Sequence, residues 1–257
     1  MKKIILIKFG GSLITNKIKT NEARLDVIEN LAKQVKEILK KNDNLSLIIA
    51  TGAGGFGHPV AKKYEHNLKK GLPIIKEAVK KINQILVSSL TKAGINAASV
   101  EPSEVSEHKG GKMIKLFYGQ IISLLERDII PVFHADLVVD QTRGISILSM
   151  DRFLVEVAIE LKNKGFEINK VIFCGTTNGV LDNKGKTINK INRVNIGEFD
   201  DLFYDNKTVD TTGGMKKKVE ECLRLTDEKI PSFIINGQKE NNLLKMILGK
   251  EVLKTKF

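Results

Sequence analysis

Short apolar runs alternate with longer amphipathic segments along almost the whole chain. Each run is continuous rather than alternating, which is typical of strands buried on both faces of a parallel sheet. In the longer segments, apolar residues recur at helical spacing, first over about residues 22–40 and again over residues 79–90. The pattern predicts helices there and strands at residues 4–9, 45–50, 96–100, 129–133, 170–174 and 232–236.

Strands that alternate with helices in this way predict an α/β fold, a three-layer αβα sandwich around a mainly parallel open sheet. One stretch departs from the pattern. Residues 137–149, LVVDQTRGISILS, contain two short apolar runs around a glycine-bearing turn, which predicts a β-hairpin. The chain has no Pro/Ser-rich linker and no internal repeat, so we expect a single domain over residues 1–257.

The charge balance favours an anionic small molecule as the ligand. The chain has 42 Lys and Arg against 30 Asp and Glu, a formal net charge of +12. Nucleic acid is not the expected partner, because there are only three Tyr, no Trp and few arginines to stack on or read bases. The basic and apolar start mimics a signal peptide, but Lys8 and the Gly10–Gly11 pair interrupt it. No run approaches 18 apolar residues, so we expect a cytoplasmic protein without a membrane span.

Glycine-rich turns follow predicted strands or open predicted helices at four places, namely 10–12, 52–57, 175–179 and 211–214. In an open parallel sheet, ligands bind at the carboxyl ends of strands, where glycine lets the backbone approach and free N–H groups attract anions. The four turns together predict a phosphate-binding edge. The spacing G-x-G-x-x-G at 52–57 is weak evidence for a dinucleotide, because no strand ending in an acid follows at the required distance.

Three lysines lie close to these turns in sequence. Lys8 lies inside the first predicted strand, where a charged side chain costs free energy unless its head group has a partner. Lys17 follows on the next loop. Lys218 lies beside the apolar arc of the helix predicted after the 211–214 turn, whereas Lys217 points away from it. Cations at the start of a helix oppose its dipole, and an anionic ligand would resolve that conflict.

Acids and histidines complete the set of polar residues near strand ends. Asp136 follows a predicted strand, and Asp151 opens the helix after the hairpin, where it also suits a plain helix-start acid. His58 precedes Pro59 at an apparent helix start, which suits a neutral imidazole that donates a hydrogen bond to a phosphate. The remaining histidines are expected to be a strand-end residue and two surface residues: His134, His66 and His108.

Several of these stretches resemble motifs of the amino acid kinase superfamily and, within it, of the isopentenyl phosphate kinases. The matching stretches occur in the family's order over nearly the whole chain: IKFGGSLITNK, GGFGHPVAKKY, SVEPS, IIPVFHADLVVD, SMD, NGVL, DTTGGMKKK and ING. The histidine in GFGHP is the most specific match. A histidine there separates the isopentenyl phosphate and fosfomycin kinases from the acetylglutamate, aspartate and uridylate kinases.

The resemblance implies ATP-dependent transfer of a phosphoryl group to isopentenyl phosphate, with Mg²⁺ held mainly by ATP oxygens and water. It implies a homodimer, an acceptor-binding lobe over about residues 1–165 and a nucleotide-binding lobe over about residues 166–257. The implied catalytic residues are Lys8, Lys17, His58 and Asp151. The implied ATP contacts are Lys8, Gly10, Gly11, Ser12, Gly54, Thr176, Gly179, Gly214 and Lys218. The implied acceptor contacts are Ala53, Gly54, Gly55, His58 and Met150, and no residue is expected to bind a metal.

Three departures from the family pattern keep alternatives open. The family's T-D-V-D-G is replaced by residues 175–179, GTTNG, so that Thr176 and Asn178 stand where acids are usual. Met150 replaces a glycine near the acceptor, and Ala53 interrupts a triple glycine. One alternative is a kinase of a phosphonate such as fosfomycin, or of another small monophosphate. The other is a non-catalytic sensor of nucleotides or metabolites, which the missing acids favour.

Overall fold

The computed structural model describes residues 2–16, 19–199 and 214–257. Its strands are β1 Lys3–Phe9, β2 Leu45–Thr51, β3 Ala97–Val100, β4 Ser106–Lys109, β5 Lys112–Leu116, β6 Ile130–His134, β7 Asp136–Asp140, β8 Gly144–Leu148, β9 Ile168–Gly175, β10 Ser232–Asn236 and β11 Lys254–Lys256. Its helices are α1 Gly11–Ile14, α2 Leu25–Lys40, α3 Gly54–Lys63, α4 Leu68–Lys92, α5 Gly119–Leu125, α6 Met150–Asn163, α7 Gly214–Asp227 and α8 Asn242–Ile247. All six strands predicted from apolar runs are present.

The larger sheet of the described residues has the order β11-β10-β9-β1-β2-β6-β3. Its strands are parallel except β11, which runs antiparallel to β10. The strand order reverses at β1, which pairs with β2 on one side and with the later strand β9 on the other, and ligands bind where a sheet has such a reversal. Phe9 is in register with both Thr51 and Cys174, so three loops begin side by side at one edge.

Helices cover both faces of this sheet, as the three-layer sandwich requires. Strand alternation directs Ile4 and Leu6 into an apolar layer against α5, α6 and α7. Ile5 and Ile7 face the opposite layer, which is formed with α2, α4 and α8. The predicted fold class is therefore confirmed, and Lys8, two residues after Leu6, falls on the α6 and α7 side.

A smaller sheet has the order β5-β4-β7-β8. It contains the predicted hairpin, because β7 and β8 pair antiparallel from Asp136 with Leu148 to Asp140 with Gly144. The Asp140 carboxylate accepts hydrogen bonds from the backbone N–H groups of Gly110, Gly111, Thr142 and Arg143, which joins this hairpin to the β4–β5 turn. Although burial acts to raise it, these hydrogen bonds hold the pKa of Asp140 far below its usual range.

The expectation that His108 is a surface residue is wrong. His108 is 3% exposed, and its Nε2 lies 2.9 Å from Ser106 Oγ. In β4 the side chains alternate, so His108 points inward although its neighbours Glu107 and Lys109 point out. Burial lowers the pKa of His108, while Glu156 and Asp140 act in the opposite direction. His66 is at the surface, as expected, with a side chain that is 95% exposed.

Two further observations bear on the chain as a whole. Cys174 and Cys222 are free and buried, and burial raises the pKa of each thiol well above its usual range. Within the residues the structure describes, no helix has both the length and the apolar character needed to cross a membrane.

Candidate active site

The loops after β1 and β2 pack against each other backbone to backbone. A Cβ on Gly52 would lie 2.5 Å from the backbone nitrogen of Gly11, and a Cβ on Gly11 would collide with the backbone of Gly54. The N–H of Gly52 donates to the carbonyl of Phe9 at 2.9 Å, and that of Gly10 donates to Cys174 at 2.9 Å. Only glycine permits this approach, which brings two of the predicted phosphate-binding turns into contact.

His58 lies on α3, which begins at Gly54 and not at Pro59 as the sequence suggested. His58 is therefore in the second turn of the helix, and its side chain is half-buried. Pro59 has no N–H to donate to the carbonyl of Gly55, and that carbonyl accepts from the backbone N–H of Asn21 instead, at 3.2 Å. The proline thus frees an acceptor that fastens the loop before α2 to the helix carrying His58.

Lys8, Asp151 and Lys218 converge on the α6 and α7 side of the strand ends. The Nζ of Lys8 lies 2.5 Å from Oδ1 of Asp151, and both side chains are largely buried. Burial acts to raise the pKa of Asp151, but the charges of Lys8 and Lys218 offset it and hold that pKa below its usual value. Lys217, by contrast, is exposed, as the helical pattern predicted. Two cations thus lie close to one carboxylate at the carboxyl end of β1.

The loops after β9 and β10 add polar groups at the same edge. Thr176 lines an open cleft of about 560 Å³ together with Ser12 and Gln238. The N–H of Gly237 donates to the carbonyl of Gly175 at 2.9 Å, which extends the strand pairing to the beginning of both loops. The predicted phosphate-binding edge is therefore continuous from β10 through β9 and β1 to β2.

Three glycines in the described part of this edge have a left-handed backbone: Gly54, Gly179 and Gly214. Gly179 has φ +104°, and a Cβ there would lie 2.5 Å from Oγ1 of Thr255 in β11. Close packing against Thr255 is thus sufficient to explain Gly179, and a nucleotide contact remains a prediction. Gly214 has φ +58° and is the first residue of α7.

The structure shows the contacts of three residues that depart from the family pattern: Asn178, Met150 and Ala53. Oδ1 of Asn178 accepts a hydrogen bond from Nδ2 of Asn236 at 3.2 Å, a contact that a carboxylate would also make. Met150 is buried in the apolar layer between the sheet and α6. Ala53 is the residue before α3, and its methyl group lies where a Cβ on Gly57 would need space.

Most of the residues predicted from the sequence share one edge of the sheet. Lys17 and the stretch 211–213 lie outside the described residues. The sequence pattern did not single out Thr15 or Lys76, which contact residues that it did single out. Thr15 joins the two packed loops through its hydroxyl, and Lys76 on α4 pairs with Glu101 at 3.0 Å and Asp136 at 3.2 Å. Thr15 stands in a motif already singled out, but its partner Gly55 is 40 residues away in sequence.

A resident metal site built from side chains is not found in the part of the chain that the structure describes. No three His, Cys, Asp or Glu side chains in it are grouped so that they would hold a metal ion. The carboxylate of Asp151 is paired with Lys8.

Comparison with known proteins agrees with this geometry. The family model described as the amino acid kinase family matches residues 3–236. The chain belongs to the amino acid kinase family. Among members of this family, the isopentenyl phosphate kinase of Methanocaldococcus jannaschii is 32% identical to it over 261 residues, which is 96% of each chain. That of Methanothermobacter thermautotrophicus is 32% identical over 270 residues, covering 99% of this chain and 98% of the relative.

A solved structure of the same family shares the fold in full. An X-ray structure of isopentenyl phosphate kinase superposes with a TM-score of 0.81 at 27% identity, and the match covers 99% of this chain and 100% of the other. A more distant relative is the acetylglutamate kinase of Aliarcobacter butzleri, which is 23% identical over 270 residues and covers 99% of this chain.

Proposed function

We propose that this chain transfers the γ-phosphoryl group of ATP to isopentenyl phosphate, giving isopentenyl diphosphate and ADP. The convergence of Lys8, Asp151 and Lys218 beside the two packed glycine loops is the observation that carries the proposal. The substrate is inferred from the isopentenyl phosphate kinases that match along nearly the full length of the chain.

This arrangement suits phosphoryl transfer between two phosphates. The acceptor oxygen is already anionic at neutral pH, so no general base is needed. Catalysis then consists of positioning and of neutralising the charge that develops on the transferring group. Lys8 would contact that group, Asp151 would orient Lys8 and Lys218, and Lys17 would stabilise the transition state from its own loop.

The two loops would bind both phosphates, with Gly54 where the two substrates meet. Gly10, Gly11 and Ser12 would bind the phosphates of ATP, together with Gly54, Thr176, Gly179, Gly214 and Lys218. The acceptor phosphate would lie against Ala53, Gly54 and Gly55, with His58 donating a hydrogen bond to it. Because the loops are in direct backbone contact, both phosphates would lie within the short distance that in-line transfer requires.

An apolar cluster beside His58 supports an acceptor with a hydrocarbon tail. Ala61, Ile75 and Leu137 form a small cluster between α3, α4 and the hairpin, separate from the two main apolar layers. Ala61 lies three residues after His58 on the same helix, so the two side chains project on neighbouring parts of its surface. A phosphate held by His58 would therefore place its organic group close to apolar side chains.

Mg²⁺ belongs to the same proposal. The donor set fits an ion carried by ATP, because Asp151 is already paired with Lys8 and Mg²⁺ commonly binds through phosphate oxygens and water. When bound, the ion neutralises charge on the phosphates of ATP.

The similarity to isopentenyl phosphate kinases along nearly the whole chain leads us to infer three further properties. These are an acceptor-binding lobe over about residues 1–165 with a nucleotide-binding lobe over about residues 166–257, a homodimer, and a cytoplasmic location.

The test is ADP release measured over a panel of acceptors: isopentenyl phosphate, fosfomycin, another short monophosphate and N-acetylglutamate. We expect turnover with isopentenyl phosphate to exceed that with the other acceptors. Preferred turnover of fosfomycin or N-acetylglutamate would replace the proposed substrate. ATP binding in calorimetry without turnover of any acceptor would favour a nucleotide sensor.

A further inference from the structure

Thr15 occupies a buried position between the two loops that would bind the donor and acceptor phosphates. It follows α1 directly and is 1% exposed. Its hydroxyl donates to the carbonyl of Gly11 at 2.7 Å and accepts from the backbone N–H of Gly55 at 2.9 Å. A single oxygen atom therefore connects the loop after β1 with the loop after β2.

The surroundings leave this oxygen little freedom. Gly54 has φ +50°, and a Cβ there would collide with Oγ1 of Thr15 and lie 2.9 Å from its methyl group. The backbone N–H of Thr15 also donates to the carbonyl of Gly11, at 2.9 Å. Thr15 further forms an isolated antiparallel bridge with Ala23, at the base of the segment before α2. The position of Thr15 is thus determined from three sides.

Only a hydroxyl can perform both parts of this contact. It carries one hydrogen for the carbonyl of Gly11 and keeps lone pairs for the N–H of Gly55. Valine has nearly the same shape but makes neither hydrogen bond. Serine keeps both hydrogen bonds and loses one methyl group.

We propose that Thr15 is a positioning residue, which sets the separation between the donor and acceptor phosphates by fixing the loop of Gly11 to that of Gly55. The inference rests on the proposed phosphoryl transfer between these loops. Thr15 itself need not touch either substrate. Its loss would change how often the two phosphates reach in-line geometry and would leave each substrate's own contacts in place.

The expected signature is a fall in kcat at nearly constant KM. A displacement of about 1 Å in a reacting pair can cost on the order of 100-fold in rate. We therefore expect Thr15→Val to lower kcat by about 10- to 100-fold, with the KM for ATP and for the acceptor each within about threefold of the wild-type value. Thr15→Ser should retain kcat within about threefold, since it keeps both hydrogen bonds.

The experiment compares kcat and both KM values of these variants with those of Thr91→Val. Thr91 is exposed on α4 and donates only to the carbonyl four residues before it, so its loss should leave kcat unchanged. Circular dichroism checks that each variant is folded. If Thr15→Val does not fold, Thr15→Ala replaces it, with the same expectation. A kcat within about twofold of wild type, or a loss that Thr15→Ser fails to restore, overturns the proposal.

Wild-type turnover separates this proposal from the proposed function. If the wild-type protein prefers another acceptor of the panel, the variants are measured with that acceptor, and the ratio of kcat values still decides the role of Thr15. A rise in KM at constant kcat would assign Thr15 to substrate binding instead. A wild-type protein that turns over no acceptor overturns both proposals.

Discussion

Lys8 and Asp151 form an ion pair between the end of β1 and the first turn of α6, with 2.5 Å between Nζ and Oδ1. Strand alternation explains how a lysine comes to lie there. Lys8 continues the face of Ile4 and Leu6, which is otherwise apolar, and so its charge needs a partner. Asp151 is supplied by the helix that packs on that face, and Lys218 adds a second positive charge nearby.

Replacing Lys8 tests whether this pair serves catalysis. Lys8→Met keeps the length of the side chain and removes its charge. We expect kcat to fall by at least about 100-fold, as when other fixed charge stabilisers are removed. ADP release measures it. The matched control is Lys3→Met in the same strand, because Lys3 pairs with Glu167 at the surface. A loss of less than about tenfold in Lys8→Met would contradict the assignment.

Asp151→Asn tests the electrostatic account through stability. The pKa of Asp151 lies below its usual value in the folded protein, so its contribution to stability is present above about pH 4 and is lost as the pH falls through the folded pKa. At pH 7 we expect the free energy of unfolding in urea to fall by about 3 kcal/mol. The difference from wild type should shrink below about pH 4.

The control for this measurement is Asp128→Asn. Asp128 pairs with Lys2, but its side chain is 71% exposed, and exposed pairs contribute about 1 kcal/mol or less. A stability difference for Asp151→Asn that stays constant from pH 7 to pH 3 would show that the charge of Asp151 is not its source.

Because the glycine loops are in contact, we expect a single added methyl group at Gly52 to push them apart. Gly52→Ala would place Cβ 2.5 Å from the backbone nitrogen of Gly11. We expect a loss of about 1–3 kcal/mol in stability and a lower kcat, because the backbone must move. Gly119→Ala is the control, since a Cβ there meets nothing within 4 Å. Equal stability and turnover in these two variants would refute the close loop contact.

His108 predicts a pH-dependent contribution to stability. Burial lowers its pKa, so the folded protein binds fewer protons there than the unfolded chain. Stability should therefore decline as the pH falls below about 6.5, and His108→Gln should lessen that decline. Urea unfolding between pH 7.5 and pH 5 measures both slopes, with His66→Gln as the exposed control. Parallel curves for wild type and His108→Gln would contradict the inferred shift.

Among the described residues, the sequence pattern predicts every strand of the larger sheet except β11, and of the smaller sheet it predicts the β7–β8 hairpin but not β4 and β5. Continuous apolar runs mark strands that are buried on both faces, such as β1 and β9. β4, β5 and β11 are short and rich in polar residues, and pairing with neighbouring strands rather than an apolar run defines them. The wrong prediction for His108 has the same cause. Its neighbours in β4 are polar, so no alternation of apolar residues indicates that His108 faces inward.

The candidate site could also be predicted only in part from the sequence. Glycine turns after predicted strands indicate a shared edge, because the carboxyl ends of parallel strands lie together. The pairing of Lys8 with Asp151 connects residues 143 positions apart by the sequence numbering and becomes visible only when α6 packs on the sheet. The proposed role of Thr15 depends likewise on its hydrogen bond with Gly55. The two residues are 40 positions apart, so the sequence around Thr15 does not predict this contact.

The identity of the phosphorus product tests the central claim most directly. ³¹P NMR follows ATP and isopentenyl phosphate incubated with the wild-type protein and with Lys17→Ala, His58→Ala and the surface control His66→Ala. We predict isopentenyl diphosphate in equal amount to ADP, with rates at least about 100-fold lower for Lys17→Ala and His58→Ala only. Inorganic phosphate in place of the diphosphate, or near-wild-type rates in both site variants, would contradict the account.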